Sequence, residues 1–165
     1  MSRTVTVNVL SSASIDAAIR ELRDYTNWIE RRANELAKRL ADMGAVLASI
    51  EYSRVPYTGE KLVNISVTEL GENRYAIVAS GETVLILEFG AGIKYGFGHP
   101  LEGRFGMGAG TYPEQKHALD PKGWYLPKEK GGAHTYGNPP SMAMYNTGKE
   151  LRNRIEEVAR EVFRT

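Results

Sequence analysis

The sequence predicts an α+β fold, with a long N-terminal helix and a C-terminal helix packed on a small antiparallel sheet, interrupted by a long insertion rich in glycine, proline and aromatics. Three observations predict it. Apolar or small residues recur at alternating steps of four and three from Ile15 to Met43 and again from Met144 to Val162, the period of amphipathic helices. Between these stretches, short segments alternate apolar and polar side chains with the period of two of half-buried strands. Finally, the 52 residues from Phe89 to Pro140 hold twelve of the seventeen glycines, six of the seven prolines, eight of the fifteen aromatics and all three histidines. A chain of 165 residues is the size of one domain, for which about 100 to 200 residues is usual. One domain is expected, with its body at about 1–89 and 139–165 and the insertion at about 90–138.

In chain order, Thr4 to Leu10 sets Val5, Val7 and Val9 against Thr4, Thr6 and Asn8, which predicts a short N-terminal strand. Ser11, Ser12 and Ser14 offer side-chain oxygens to the free amides of a helix start, and Asp16 suits its positive end. The apolar stripe Ile15, Ile19, Leu22, Thr26, Ile29, Ala33, Leu36, Leu40 and Met43 then predicts a helix that Gly44 ends. At roughly 45 Å that helix is longer than its own body needs; it reads as an amphipathic helix lying across its own sheet, and a compatible second reading has part of its stripe, with Trp28 on the flank, also meet another subunit. Val46, Ala48, Ile50 and Tyr52, then Val63, Ile65 and Val67, then Tyr75, Ile77 and Ala79 after the turn signal Gly71-Glu72-Asn73, predict a three-stranded meander. Val84 to Phe89 is a continuous apolar run, a buried element that periodicity leaves open between helix and strand. Asn138-Pro139-Pro140 forbids helix before it, and Ser141 can cap the helix after it. That last helix carries Met144, Gly148, Leu151, Ile155, Val158 and Val162 on its stripe, with Glu150–Arg154 and Glu156–Arg160 as exposed pairs four apart.

With 21 basic and 20 acidic residues the net charge is +1, without the basic footprint of a protein that grips phosphates, so tight nucleic-acid binding is not expected. There is no cysteine, hence no disulfide framework and no cysteine-based zinc site. No apolar run reaches the roughly 18 residues of a membrane span, and the first residues alternate where a signal peptide is continuously apolar. A soluble product made in the cytoplasm is the expectation.

The run Gly106-Met107-Gly108-Ala109-Gly110 resembles a phosphate loop only in its glycines, because Tyr112-Pro113 comes next where a Lys-Ser/Thr pair is needed. His99, His117 and His134 are spaced eighteen and seventeen apart and match no helical metal pair, and no nucleophile elbow exists. No catalytic residue, metal or cofactor is assigned. Glu88, between Leu87 and Phe89, must face solvent or meet a cation, an Arg or Lys of the insertion or of a neighbouring subunit, because an unpaired buried carboxylate costs several kcal/mol. A segment so rich in aromatics is unlike true disorder and reads as an arm that orders on a companion molecule. Trp28, Glu88, Phe89, Tyr95, Phe97, Phe105, Tyr112, Trp124, Tyr125 and Tyr136 are its interface candidates, and deleting Gly96 to Gly132 is expected to leave the body folded.

Leu87-Glu88-Phe89-Gly90-Ala91-Gly92, then Gly110-Thr111-Tyr112-Pro113 and Gly123-Trp124-Tyr125, then Pro139-Pro140 leading into Met142-Ala143-Met144-Tyr145-Asn146-Thr147 and Glu150-Leu151, resemble one family. It is the tail-completion family of long-tailed bacteriophages, also described as tail component, head–tail joining or minor capsid proteins. The order of elements also fits, although Pro139-Pro140-Ser141-Met142 stands where the family commonly has an Arg-Pro-Phe-like approach to the last helix. The resemblance implies a structural virion protein, not an enzyme, that joins a ring, a hexamer by that analogy, at the neck between head and tail tube, with itself and other neck and tail proteins as partners. Two other readings stay open: a hydrolase whose insertion is a lid carrying His99, His117, His134 and Asp120, and a monomeric binding module that orders on its target.

Overall fold

The computed structural model describes residues 4–56, 62–108, 110–111, 117, 119–130 and 132–164. Helix α1 runs Ser12–Arg54, 43 residues, or about 65 Å at 1.5 Å per residue. As the serines predict, Ser11 caps it, its hydroxyl accepting from the Ser14 amide at 3.3 Å. The expected N-terminal strand does not form: residues 4–8 have no regular structure and Val9 and Leu10 lie in a turn, both exposed. The same serines explain this, because Asn8 donates to Ser14 Oγ and its carbonyl accepts from Ser11 N, which folds the segment onto the helix start and away from a ladder.

Gly44 does not stop α1. It is buried mid-helix, where an added Cβ would collide with Ile77 and come within 2.8 Å of Leu151 Cδ1. The glycine is a point of close approach, and the helix continues through Val46, Ala48, Ile50 and Tyr52, the residues that the alternation assigned to a strand. Four apolar residues at steps of two contain i,i+4 pairs, and here Ala48 and Tyr52 face the core while Val46 and Ile50 are exposed. Helix formation ends only ahead of Pro56, with Val55 extended as the residue before a proline must be. For Gly44→Ala, the gain of about 1 kcal/mol in helix propensity opposes an overpacking cost of about 1 to 3 kcal/mol. A net loss of about 1 kcal/mol in the urea midpoint is expected, and a stabilised variant would show that the approach is loose.

Two strands come next, β1 (Asn64–Gly71) and β2 (Arg74–Ser80), paired antiparallel with Asn64 opposite Ser80 and Val67 opposite Ile77. Asn73 takes a positive φ of 56° in the predicted turn. The sheet is therefore a hairpin and not a three-stranded meander. A lone hairpin is marginal in water, and this one lies along α1, where the Tyr75 hydroxyl donates to Asn34 Oδ1 at 3.2 Å. The apolar run left open by periodicity is a short helix, α2 (Val84–Phe89). The insertion holds helix α3 (Glu102–Phe105) and a small antiparallel hairpin of β3 (Trp124–Tyr125) and β4 (His134–Thr135).

Helix α4 (Ala143–Arg164) closes the body. Ala143 shares a core with Tyr52, Leu151 reaches the site of Gly44, and Phe163 meets Trp28, so α4 runs antiparallel to α1. Its buried face is Ala143, Thr147, Val158 and Val162, with Leu151 half-buried. Ile155, placed on the stripe by the heptad, is exposed, because at 100° per residue it lies about 60° off the centre of that buried face. The α+β class is as expected. At its centre, Tyr52, Val55, Leu87 and Ala143 pack together under Val63, Ile65, Ala79, Val84 and Met144.

Candidate functional site

Glu88, the penultimate residue of α2, is buried, with 5% of its surface accessible. Its Oε2 accepts from the Met144 amide at 2.9 Å and the Tyr52 hydroxyl at 3.2 Å. Its Oε1 accepts from the Tyr145 amide at 3.0 Å and meets His99 Nε2 at 3.3 Å. The carboxylate thus caps α4 from another element, satisfying amides that a helix start leaves free and placing negative charge at the positive end of the dipole. This corrects the expectation of solvent or an Arg or Lys partner: a helix N-terminus, a hydroxyl and an imidazole stand in for the cation.

Ser141 is correspondingly not the cap. Its hydroxyl is buried with no hydrogen-bond partner among the described residues. Its amide instead donates to Leu87 O at 2.8 Å, the Met142 amide donates to Glu88 O at 3.2 Å, and Asn138 Nδ2 donates to Ile86 O at 2.9 Å. The exchange is reciprocal. Residues 138–142 satisfy the last carbonyls of α2, while the Glu88 side chain satisfies the first amides of α4.

His99 reaches this clasp from the insertion and is buried. Its Nδ1 accepts from the Leu101 amide at 3.1 Å, so Nε2 carries the proton that is donated to Glu88. Burial, and then the charge of Glu88, raise the pKa of the Tyr52 hydroxyl well above the ordinary tyrosine value, so that it stays a donor. With four donors around one carboxylate, its lone pairs are committed to holding structure.

The insertion is closed at its base by a single antiparallel rung. Ala91 N donates to Asn138 O at 2.8 Å, and Asn138 N to Ala91 O at 3.0 Å. Gly137 makes this approach possible: its φ is +99°, and a Cβ there would fall onto the Ala91 carbonyl. The first part of the insertion belongs to the body, since His99 and Phe105 both contact the Phe89 ring, at 4.3 and 6.3 Å between centroids, and His99 meets Tyr145 edge-on at 5.7 Å. Deleting 96–132 would therefore remove a donor from Glu88 and uncover Phe89. The later part holds the β3–β4 hairpin.

On that hairpin the rings form a row. Tyr125 and His134 are 4.8 Å apart, His134 and Tyr136 4.9 Å, each edge-to-face, and Lys94 Nζ sits over Tyr136 at 4.5 Å and Tyr95 at 5.6 Å. Tyr125 is 74% exposed, Tyr95 and Tyr136 are also exposed, and Trp124 is half-buried. Of the other interface candidates, Phe97 and Phe105 are about half exposed, and Trp28 is half-buried between a stacked Tyr25 and the edge of Phe163. Glu88 and Phe89 are interior residues of this subunit. Tyr112 lies outside the described residues. Among the described residues no three of His, Asp and Glu converge as metal ligands: His99 is in the clasp and His134 in the ring row.

Sequence reasoning missed Tyr52 and placed His99 only among candidate ligands of a metal or lid. The i,i+4 spacing of Ala48 and Tyr52 was the available signal for the first. None existed for the second, because its partner is set by the path of the loop. No protein-family model, no curated protein and no solved structure matches this chain. Among the described residues no helix is long and apolar enough to cross a membrane.

Proposed function

We propose that this chain is a structural virion protein of the tail-completion kind, made in the host cytoplasm and assembled as a ring at the head–tail neck of a long-tailed bacteriophage. The β3–β4 hairpin is its docking element toward a neighbouring subunit or another neck protein. The observation that carries this reading is an exposed row of aromatic rings held on a loop whose base is locked by the Ala91–Asn138 rung. A preorganised loop loses little entropy on binding, and tyrosine supplies contact area with few rotatable bonds.

The resemblance to tail-completion proteins supplies the setting. Its two anchor motifs, Glu88-Phe89-Gly90 and the diproline approach to α4, are the partners in the clasp, so the residues that carry the likeness also carry the fold. A closed ring needs one patch meeting a different patch, and a hairpin that presents exposed rings suits that geometry. A near-neutral chain also suits a place beside a DNA conduit, where strong cationic patches would trap passing phosphates.

The double variant Tyr125→Ser, Tyr136→Ser tests the reading. It is expected to unfold at the wild-type urea midpoint, because both rings are exposed, yet to lose ring assembly with its neck partners by native mass measurement. Assembly at the wild-type level would remove the hairpin from the interface.

A further inference from the structure

The seam between α1 and α4 ends where Trp28 meets Phe163 at 5.8 Å, just before α4 terminates. α1 continues from there toward Ser12 for about four more turns, or roughly 20 Å. At 100° per residue, Ile15, Ile19, Leu22 and Thr26 lie within about 40° of Gly44, the centre of the face that β2 and α4 cover. The covered face of the helix therefore runs on uncovered by either element. Ile15, Ile19 and Leu22 are exposed along it, and the Thr26 hydroxyl is turned to its own Leu22 carbonyl at 3.0 Å, leaving a methyl group for the face. With Ile29 and the exposed Val9 and Leu10 at the helix start, the apolar surface is on the order of 600 Å², the upper end for a monomer's largest patch and near the roughly 800 Å² per partner of a stable interface.

We propose that this overhang pairs with the same segment of a second copy of the chain, antiparallel. The flanking charges select both the partner and the direction. Asp16 and Arg23, both exposed, stand seven residues apart on one flank of the stripe; on the other flank Ala18 is already buried within its own subunit and Tyr25 is half-buried. An antiparallel pair that layers Ile19 of each copy on Leu22 of the other, and Ile15 on Thr26, brings Asp16 of each copy to Arg23 of the other, two opposite-charge contacts from one register. A parallel pair would set Ala18 against Arg23 and Tyr25 against Glu30, with no opposite charges meeting. The contact is two-fold and closes on itself, unlike the head-to-tail contact of a ring. It does not rest on the virion reading, and it makes the chain off the ring a dimer.

Sedimentation of the full chain over a concentration series, with charge-swapped variants, tests the pairing. The wild type is expected to dimerise. Asp16→Arg alone and Arg23→Asp alone each turn two attractions into two repulsions and should weaken the dimer at least about fivefold. Mixing these two single variants should restore it as a heterodimer, and so should placing both swaps in one chain. Ile19→Asp with Leu22→Asp should abolish the dimer while leaving the urea midpoint in place at concentrations where the wild type is also monomeric, since neither residue is in the core. A wild type that stays monomeric at all concentrations overturns the proposal, as does a dimer indifferent to the swaps or singles that fail to rescue each other.

Discussion

Glu88→Ala is expected to lower the unfolding free energy by about 3 to 5 kcal/mol, the range for removing one member of a buried charged network. The wild-type carboxylate accepts from two amides, a phenol and an imidazole in a site closed to solvent. Alanine removes the acceptor that these donors share, and a donor left buried and unsatisfied costs about 1 to 3 kcal/mol unless a water enters. The loss also falls on the start of α4, so hydrogen exchange at the Met144 and Tyr145 amides should speed up by more than the fall in global stability accounts for. Glu88→Gln tests the same point without a cavity. Its amide nitrogen would face one of these donors, so it recovers only part of the loss. A Glu88→Ala midpoint within about 1 kcal/mol of wild type would mean that the clasp does not hold the body together.

Gly137→Ala is expected to cost about 2 to 4 kcal/mol and to loosen the whole insertion. A non-glycine residue at φ +99° carries roughly 1 to 3 kcal/mol of strain. The added Cβ also meets the Ala91 carbonyl, part of the rung itself, which cannot rotate aside as a side chain can. Relief therefore requires breaking the Ala91–Asn138 pair, two hydrogen bonds of about 0.5 to 1.5 kcal/mol each. Limited proteolysis should then cut within 92–136 many times faster than in the wild type, and any assembly through the hairpin should weaken with it. Cleavage at the wild-type rate would show that the insertion is held by contacts other than this rung.

The two long helices were legible because each has many turns of apolar period, and a pattern sustained that long has few competing explanations. The hairpin was legible for a different reason: Gly71-Glu72-Asn73 supplies a turn between two alternating runs. What misled was local pattern without a partner. Val5, Val7 and Val9 alternate as a strand does, but a strand exists only where another edge completes its hydrogen bonds. Val46 to Tyr52 alternates too, yet nothing before Pro56 stops a helix already thirty residues long. Gly44 read as a terminator because glycine ends helices in solvent, whereas at a crowded crossing the missing Cβ is what the neighbours require.

The candidate site divides in the same way. The insertion and its rings stood out in composition alone, as did Glu88 as a misfit in an apolar run. Which rings face outward, and what satisfies Glu88, depended on where the chain returned after some fifty residues. Periods and turn chemistry within a few residues specify the two amphipathic helices and the β1–β2 turn, and they mark Glu88 as a charge out of place in an apolar run, without saying whether it is buried. That the carboxylate is buried, and that its partners are the amides of α4, the hydroxyl of Tyr52 and the ring of His99, follows from the packed fold. Hydrogen-bond donors from three distant segments become neighbours only when packing of the core brings them to one point.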